Sequence, residues 1–366
     1  MFAKKNLVAA AALMALVGAA QADVKVYGAL DASFGSYETA HAKGSSSRLT
    51  AVESGDMMTS FLGFSGSEDL GNGLKAEFAL ETFIGNDTGS NIGNNAGQFW
   101  SRTSNVALSG AFGKVAIGQY DNPLFTVGYT YDPFGSSMTF SPTMRHYSYI
   151  GQTSTIAGAG VGFDTGWVNS VTYETPNWAG FTFVGQAALK ESATAGTKNS
   201  FSVMGAYNAG PLSLAAVYVK GGPTNNPPIA AGASFATYGA DEKIWNLSAS
   251  YDFGVVKLFT TYTDIKQEAS AVPTTQNLAN KDKIYQVGLS VPVTEKGSIL
   301  ASYGELKNKV TATGVISKDR VFSLGYDYFL SKRTDVYAAF MNNQQSANTG
   351  NVESGQTFAV GIKHNF

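Results

Sequence analysis

Few residues in this sequence of 366 amino acids have side chains suited to acid, base or nucleophilic chemistry. Cysteine is absent, which excludes disulfides, thiolate metal ligands and cysteine nucleophiles. The only histidines are His41, His146 and His364, and we expect two in long loops and one in the last strand. No nucleophile elbow, phosphate-binding loop or HExxH motif accompanies them. The sequence therefore predicts that the protein is not an enzyme, and it predicts no cofactor and no metal site.

The remaining candidates for chemistry are charged side chains that alternate with apolar ones. In residues 24–34 the apolar side chains occupy even positions, whereas Lys25, Tyr27, Asp31 and Ser33 occupy odd positions. Residues 74–81 repeat the pattern. A period of two residues is typical of a β-strand with one polar and one apolar face, and a helix would mix the two kinds of neighbour. Such segments are about ten residues long, the length of a tilted strand that crosses a membrane.

Short and long connections separate these segments in turn. Short turns such as 68–73 and 331–334 contain turn-forming residues, and long loops such as 36–56 and 121–165 are rich in Gly, Ser, Asn and Thr. Counting the segments between these breaks gives about 16 strands. The sequence therefore predicts an all-β fold, a transmembrane antiparallel β-barrel with short turns at one end and long loops at the other. A barrel of this size encloses an aqueous channel.

The start of the chain predicts export. Lys4 and Lys5 precede the apolar residues 7–18, and Ala20-Gln21-Ala22 fits a small-x-small cleavage site. We expect a signal peptide over residues 1–22 and one barrel domain over residues 23–366. The alternative, an N-terminal membrane anchor, requires a longer apolar run. Cleavage removes two lysines and no acid, leaving 23 basic and 27 acidic residues. No basic patch for nucleic acid is apparent.

Motifs along the chain resemble the Gram-negative trimeric general porins. They are the first strand, the second hairpin, the following turn, the third loop, the last turn and the C-terminus, at residues 26–31, 62–76, 110–115, 132–136, 328–334 and 361–366. The resemblance covers nearly the whole mature chain. It implies an outer-membrane location, a homotrimer and passive diffusion of ions and small hydrophilic solutes. It also implies that the third loop, here about residues 121–165, folds inward and narrows the channel.

Further partners are implied by the same resemblance. Residues 84–98 are similar to the segment that latches onto the neighbouring subunit. The alternating last strand ends in Phe366, which resembles the signature that barrels present to their insertion machinery. We expect outer-membrane lipid and lipopolysaccharide around the barrel and small solutes within it.

Porins of this family have a constriction in which arginines on the wall face carboxylates on the third loop. Arg102 matches one arginine position, whereas Phe61, Gln119 and Gly166 stand where the family often has arginine. Charges on opposite walls of a narrow pore set its ion preference. With so few arginines, anion or cation preference stays open. Simple alternation also leaves open whether Arg102 faces the pore or the outside.

The loop side of the constriction has several candidates. Asp121 and Asp132 are the candidate carboxylates, and Phe134 is one of several aromatic residues in this loop. With Phe61, these aromatics would suit aromatic or sugar-like solutes, so a substrate-selective channel is the alternative to a general one. Alternatively, the aromatics pack the loop against the wall. A third hypothesis is an adhesive or structural barrel with an incidental pore.

Overall fold

The computed structural model describes residues 23–38, 40–42, 48–92, 99–149, 166–191, 198–221, 240–269, 279–311, 313–347 and 352–366. Most of the described residues lie in β-strands. The described part also contains two helices, α1 (Pro123–Thr130) and α2 (Pro142–Tyr149). Neither helix is long and apolar enough to cross a membrane.

The strands pair antiparallel with their neighbours throughout. Their bounds are β1 (Asp23–Tyr37), β2 (His41–Ala42), β3 (Leu49–Ser54), β4 (Phe61–Gly71), β5 (Leu74–Gly85), β6 (Ser90–Asn91), β7 (Thr103–Gly110), β8 (Gly113–Asp121), β9 (Gly166–Glu174), β10 (Phe181–Ala188), β11 (Ser200–Ala209), β12 (Leu212–Gly221), β13 (Ala240–Asp252), β14 (Lys257–Ala269), β15 (Asn280–Pro292), β16 (Gly297–Val310), β17 (Ile316–Phe329), β18 (Thr334–Ala347), β19 (Val352–Glu353) and β20 (Gly355–Asn365).

The sheet closes on itself because β1 pairs with β20 on one side and with β3 and β4 on the other. The main sheet contains 18 strands. β3 and β4 share one wall position, since each pairs with a different part of β1, and β6 is a two-residue pairing within a loop. The wall therefore has 16 strand positions, which confirms the predicted antiparallel barrel. Closure leaves none of the described wall strands with an unpaired edge.

The two faces of the wall are chemically opposite. Val24, Val26 and Phe34 are more than half exposed, whereas Asp31 and Ser33 between them are buried. The predicted alternation is therefore confirmed, with apolar side chains outside and polar ones inside. This pattern is typical of a barrel that is surrounded by lipid and contains water.

The second wall position is broken between β3 and β4. Gly55 has a φ of +83°, a conformation that favours glycine. The buried carboxylate of Asp31 accepts hydrogen bonds from the backbone N–H groups of Met57 at 2.6 Å and Met58 at 2.8 Å. It also accepts one from the Tyr337 hydroxyl at 2.7 Å. Asp31 on the neighbouring strand β1 thus fixes the break, and its bond to Tyr337 links the break to β18 across the barrel seam.

Residues 122–149, which contain both helices, pack against buried side chains of the wall. Leu124, Val127 and Met144 form one cluster with inward-facing residues of β12 to β16. Three glycines on adjacent strands make room for this segment. A Cβ on Gly288 would lie 2.6 Å from Pro133, one on Gly304 would lie 2.6 Å from Pro142, and one on Gly325 would lie 2.9 Å from Phe134. The segment therefore follows the inner wall closely.

Candidate functional site

A polar cavity of about 360 Å³ lies between α1 and the inner wall opposite it. The wall side comes from strands β5 and β7 to β11, and the helix side comes from Pro123, Thr126 and Tyr129. Asn122 caps α1, because its side chain accepts a hydrogen bond from the N–H of Leu124 at 2.8 Å. The helix thereby places Thr126 and Tyr129 toward the charged wall.

Arg102 lines this cavity. Its guanidinium forms an ion pair with Glu81 and lies 4.3 Å from the ring centre of Phe61. The hydroxyl of Tyr27 donates a second hydrogen bond to Glu81. Arg102 precedes β7, which begins at Thr103, so the strand alternation that favours an outward side chain does not extend to it. The structure therefore decides the open question, and Arg102 faces inward.

Gln119 and Gly166 lie directly behind Arg102. The Gln119 side-chain amide donates hydrogen bonds to the backbone carbonyls of Ser101 at 3.0 Å and Arg102 at 3.3 Å. A Cβ on Gly166 would lie 3.2 Å from both the Arg102 carbonyl oxygen and the Gln119 side chain. The Gln119 side chain therefore holds the backbone that presents Arg102. Gly166 leaves the space that this arrangement needs, because a larger residue would crowd both Arg102 and Gln119.

Acidic side chains outnumber basic ones around the cavity. Glu81, Asp121 and Glu174 line it together with Arg102 and Lys114. Asp121 ends strand β8 and stands across from Gly166 in the ladder. Sequence reasoning placed it in a loop and missed the roles of Glu174 and Lys114. Their inward positions were accessible from alternation, but their proximity depends on the pairing of β5, β8 and β9.

The lining charges are also bonded to one another. Lys114 pairs with Glu77 at 2.9 Å, and the Tyr120 hydroxyl donates to Glu174 at 2.8 Å. These contacts hold the side chains against the wall. The cavity therefore presents charges of both signs within a few ångströms, in a preorganised arrangement.

Asp132 and Phe134 lie outside this cavity. Asp132 is buried, and its carboxylate accepts a hydrogen bond from the N–H of Phe134 at 2.8 Å and another from Ser302 at 3.5 Å. Burial raises the pKa of Asp132 to about 7. Phe134 is buried beside Phe140, with ring centres 6.2 Å apart. The structure brings Arg102, Phe61, Gln119, Asp121 and Gly166 together, and it keeps Asp132 and Phe134 in the contact between loop and wall.

Polar contacts attach the loop to strands far around the barrel. The Tyr147 hydroxyl shares a hydrogen bond of 2.7 Å with Thr263, and His146 lies 3.2 Å from the Asp319 carboxylate. His146, which was expected in a long loop, is buried. The buried Arg145 also adds positive charge near Asp319. No simple sequence signal marked these residues, because their wall partners are more than a hundred positions away.

The tip of the loop contacts the break between β3 and β4. The hydroxyl of Ser137 donates to the Asp56 carbonyl at 2.5 Å, and that of Thr139 donates to the Asp56 carboxylate at 2.8 Å. The loop is thus held at both its helical end and its tip. A channel beside it has a fixed boundary on the loop side.

Comparison with known proteins gives consistent matches. The family model described as Gram-negative porin matches residues 9–348. Outer membrane porin protein 32 of Delftia acidovorans is 33% identical over 99% of this chain and 100% of its own. An outer membrane porin protein of Bordetella pertussis is 30% identical, again over 99% and 100%. The solved structure of an anion-selective porin from Comamonas acidovorans matches with a TM-score of 0.74 and 28% identity, covering 94% of this chain and 100% of that one.

Proposed function

We propose that this chain, which belongs to the Gram-negative porin family, conducts ions and small solutes through a constriction beside Arg102. The protein is an outer-membrane porin, and its water-filled barrel allows passive diffusion of small hydrophilic solutes. The observation that carries the proposed constriction is the polar cavity between α1 and the charged wall. Tyr129 on the helix and Asp121 on the wall would form opposite sides of the narrowest passage. The family and its fold are those of channels.

We propose a weak preference for cations. Three acids and two bases line the cavity, and Glu81 neutralises the guanidinium of Arg102. The solved relative is described as anion-selective. In this chain Phe61 and Gln119 stand where the family resemblance implies further arginines. Without those charges, the local potential has no strong positive component that would concentrate anions.

Planar-bilayer recordings in a KCl gradient test this proposal. The wild-type reversal potential should have the sign for cation preference. In Arg102→Ala it should shift further that way, because a positive charge about 5 Å from the ion path changes the permeability ratio about fivefold at moderate salt. Arg333→Ala, in the exposed turn before β18, is the matched control and should behave like wild type. Strong anion selectivity, or an unchanged potential in Arg102→Ala, would contradict the proposal.

A substrate-selective channel is the second candidate. Tyr120 and Tyr129 both line the cavity, and Phe61 lies behind Arg102. Aromatic faces next to paired charges would bind sugars or aromatic acids. In the same recordings, such a channel would show saturable block of the current by one of these solutes, and Tyr129→Ala would relieve it. If none of the sugars and aromatic acids that are tested blocks the current, general diffusion is the function.

Other properties of the mature protein follow from the family. We propose a homotrimer, an exported precursor and barrel insertion that depends on Phe366. The ring of Phe366 lies over Gly28 at the seam between β20 and β1, so the last residue also helps to close the barrel. Residues 1–22 lie outside the described part, and N-terminal sequencing of the mature protein should begin at Asp23. The mass of the native complex should equal three subunits.

A further inference from the structure

The outer face of β12 to β17 has a concentration of basic side chains near the long connections. We call this group the basic belt; its members are Lys220, Lys243, Lys266, Lys281, Lys283, Lys307, Lys309, Lys318 and Arg320. They all point outward, since the residues that alternate with them, such as Ile244, Ile265 and Asp282, are buried inside. The belt holds nine basic residues in a chain that carries net negative charge overall.

The register of the strands aligns these cations. Direct cross-strand partners form one continuous row, Lys220, Lys243, Lys266, Lys281 and Lys309, across five adjacent strands. A second row runs through Lys283, Lys307 and Lys318. Neighbouring strands lie about 4.8 Å apart, so the first row spans about 19 Å. Like charges directly opposite each other destabilise a sheet, unless an external anion compensates them.

Acidic neighbours compensate only part of this charge. Glu268 pairs with Lys243 at 3.2 Å, and Glu305 pairs with Lys318 and Arg320 at 3.2 and 2.7 Å. Asp264 lies 3.9 Å from Lys266. Within the described part of the chain, the other five lysines of the belt form no ion pair: Lys220, Lys281, Lys283, Lys307 and Lys309. Three acids against nine bases leave an excess of about six positive charges on one side of the barrel.

Aromatic side chains give the depth of the belt. Tyr218 and Trp245 contact each other on the outer face with ring centres 4.4 Å apart, and Tyr262 and Tyr285 do so at 5.0 Å. Each lies two or four residues nearer the short turns than a belt lysine on the same strand. Such aromatic girdles mark the boundary between hydrocarbon and headgroups. The belt therefore lies at the level of the headgroups in the outer leaflet.

An apolar groove continues below the belt on the same strands. It has a volume of about 520 Å³, and its lining includes Leu258, Val287, Leu289, Tyr303 and Phe322. Tyr303 and Phe322 are cross-strand partners one row below Glu305 and Arg320. A ligand that has phosphates at one end and acyl chains at the other would fit both features.

We infer that the basic belt binds the phosphorylated headgroup of lipopolysaccharide, with acyl chains in the groove beneath it. This inference rests on the proposed function as an outer-membrane porin, and it takes the long connections to lie outside the cell, as they do in bacterial barrels. β14 lies eight wall positions from β5, which leads into the predicted latch at residues 84–98. The belt thus faces lipid instead of a neighbouring subunit in the proposed trimer. Lysines at the interface attract anionic lipid by charge.

A triple variant tests this inference. Lys281→Gln, Lys283→Gln and Lys307→Gln are combined in the full-length porin in phosphatidylcholine vesicles, and lipopolysaccharide is titrated as the probe. Binding should weaken about tenfold or more, and its dependence on salt should decrease. The matched control combines Lys257→Gln, Lys296→Gln and Lys332→Gln, which remove the same charge near the short turns. The control should bind as wild type does.

Further measurements distinguish binding of the lipid from binding of free phosphate, and they separate the basic belt from the properties of the pore. Enzymatically dephosphorylated lipopolysaccharide should bind wild type as weakly as native lipid binds the triple variant. Millimolar inorganic phosphate should not compete, since it lacks acyl chains. Conductance and reversal potential of the triple variant should match wild type, which separates this inference from the proposed channel properties. Equal affinity of the triple variant and wild type, or equal losses in both triple variants, would overturn it.

Discussion

The close packing of residues 122–149 against the barrel wall depends on three glycines that have no side chain, and Gly304 gives the clearest test of this dependence. Gly304 on β16 lies beneath Pro142, the first residue of α2. Replacing it with alanine adds a single methyl group to an inward-facing position of the wall. A Cβ there would be 2.6 Å from the Pro142 Cβ, 3.2 Å from the His146 ring and 3.3 Å from the Tyr285 carbonyl oxygen. The added group therefore meets the loop from below.

The size of the response follows from these distances. Ordinary carbon contacts begin at 3.4 Å, so Pro142 must move about 1 Å away from the wall. Neither the proline ring nor the β16 backbone can rotate out of the way. Overpacking of this kind costs about 1–3 kcal/mol. The displacement is directed into the lumen, and we expect both a lower melting temperature and a smaller single-channel conductance in Gly304→Ala.

Single-channel recording and thermal unfolding in detergent measure the two effects. Gly185→Ala on β10 is the matched control, because a Cβ at that glycine would meet nothing within 4 Å. The control should retain wild-type conductance and stability. Wild-type conductance in Gly304→Ala would refute the reasoning, since it would mean that the loop does not rest on the wall at this position. An equal loss of conductance or stability in both variants would point instead to a general effect of replacing glycine within a strand.

Three further predictions concern the loop and its wall. Burial raises the pKa of Asp132 to about 7, above its value in an unfolded chain, so its contribution to stability is complete below about pH 4 and is lost as pH rises toward 7. Melting temperatures at pH 5 and pH 8 should therefore differ less in Asp132→Asn than in wild type, and an equal difference would argue against a protonated carboxyl. Tyr147→Phe removes the hydrogen bond to Thr263 and should lower the free energy of unfolding by about 1 kcal/mol. An unchanged free energy of unfolding would show that this hydrogen bond does not stabilise the loop. Phe61→Arg adds a second cation beside Arg102 and should move the reversal potential toward anion preference; no shift would place residue 61 away from the ion path.

Much of the barrel could be predicted because its signals are local. The period of two residues places Asp31 inside and Phe34 outside without any knowledge of the partners. Turn residues separate the strands, and the count of 16 follows from them. Helices α1 and α2 were not predicted, because they are short and lie within a loop that is identified mainly by resemblance.

The site was less predictable than the wall. Arg102, Phe61 and Asp121 were expected together and are found together, but the expected role of Asp132 at the constriction has no support from its buried position. Whether a loop carboxylate faces water or the wall depends on how the loop folds back across the barrel. The ion pair between Arg102 and Glu81 likewise depends on the pairing of β5 and β7.

The sequence by itself determined the fold class, the number of strands and the chemical character of each face. These are properties of neighbouring residues, and a strand exposes them wherever it is placed. Only the tertiary structure decided which charges become neighbours, because cross-strand register brings together residues that are far apart in the chain. It turned Arg102 inward, buried His146 against Asp319 and aligned five lysines in one row of the basic belt. Closure of the barrel converts a repeating local pattern into one specific arrangement of charge.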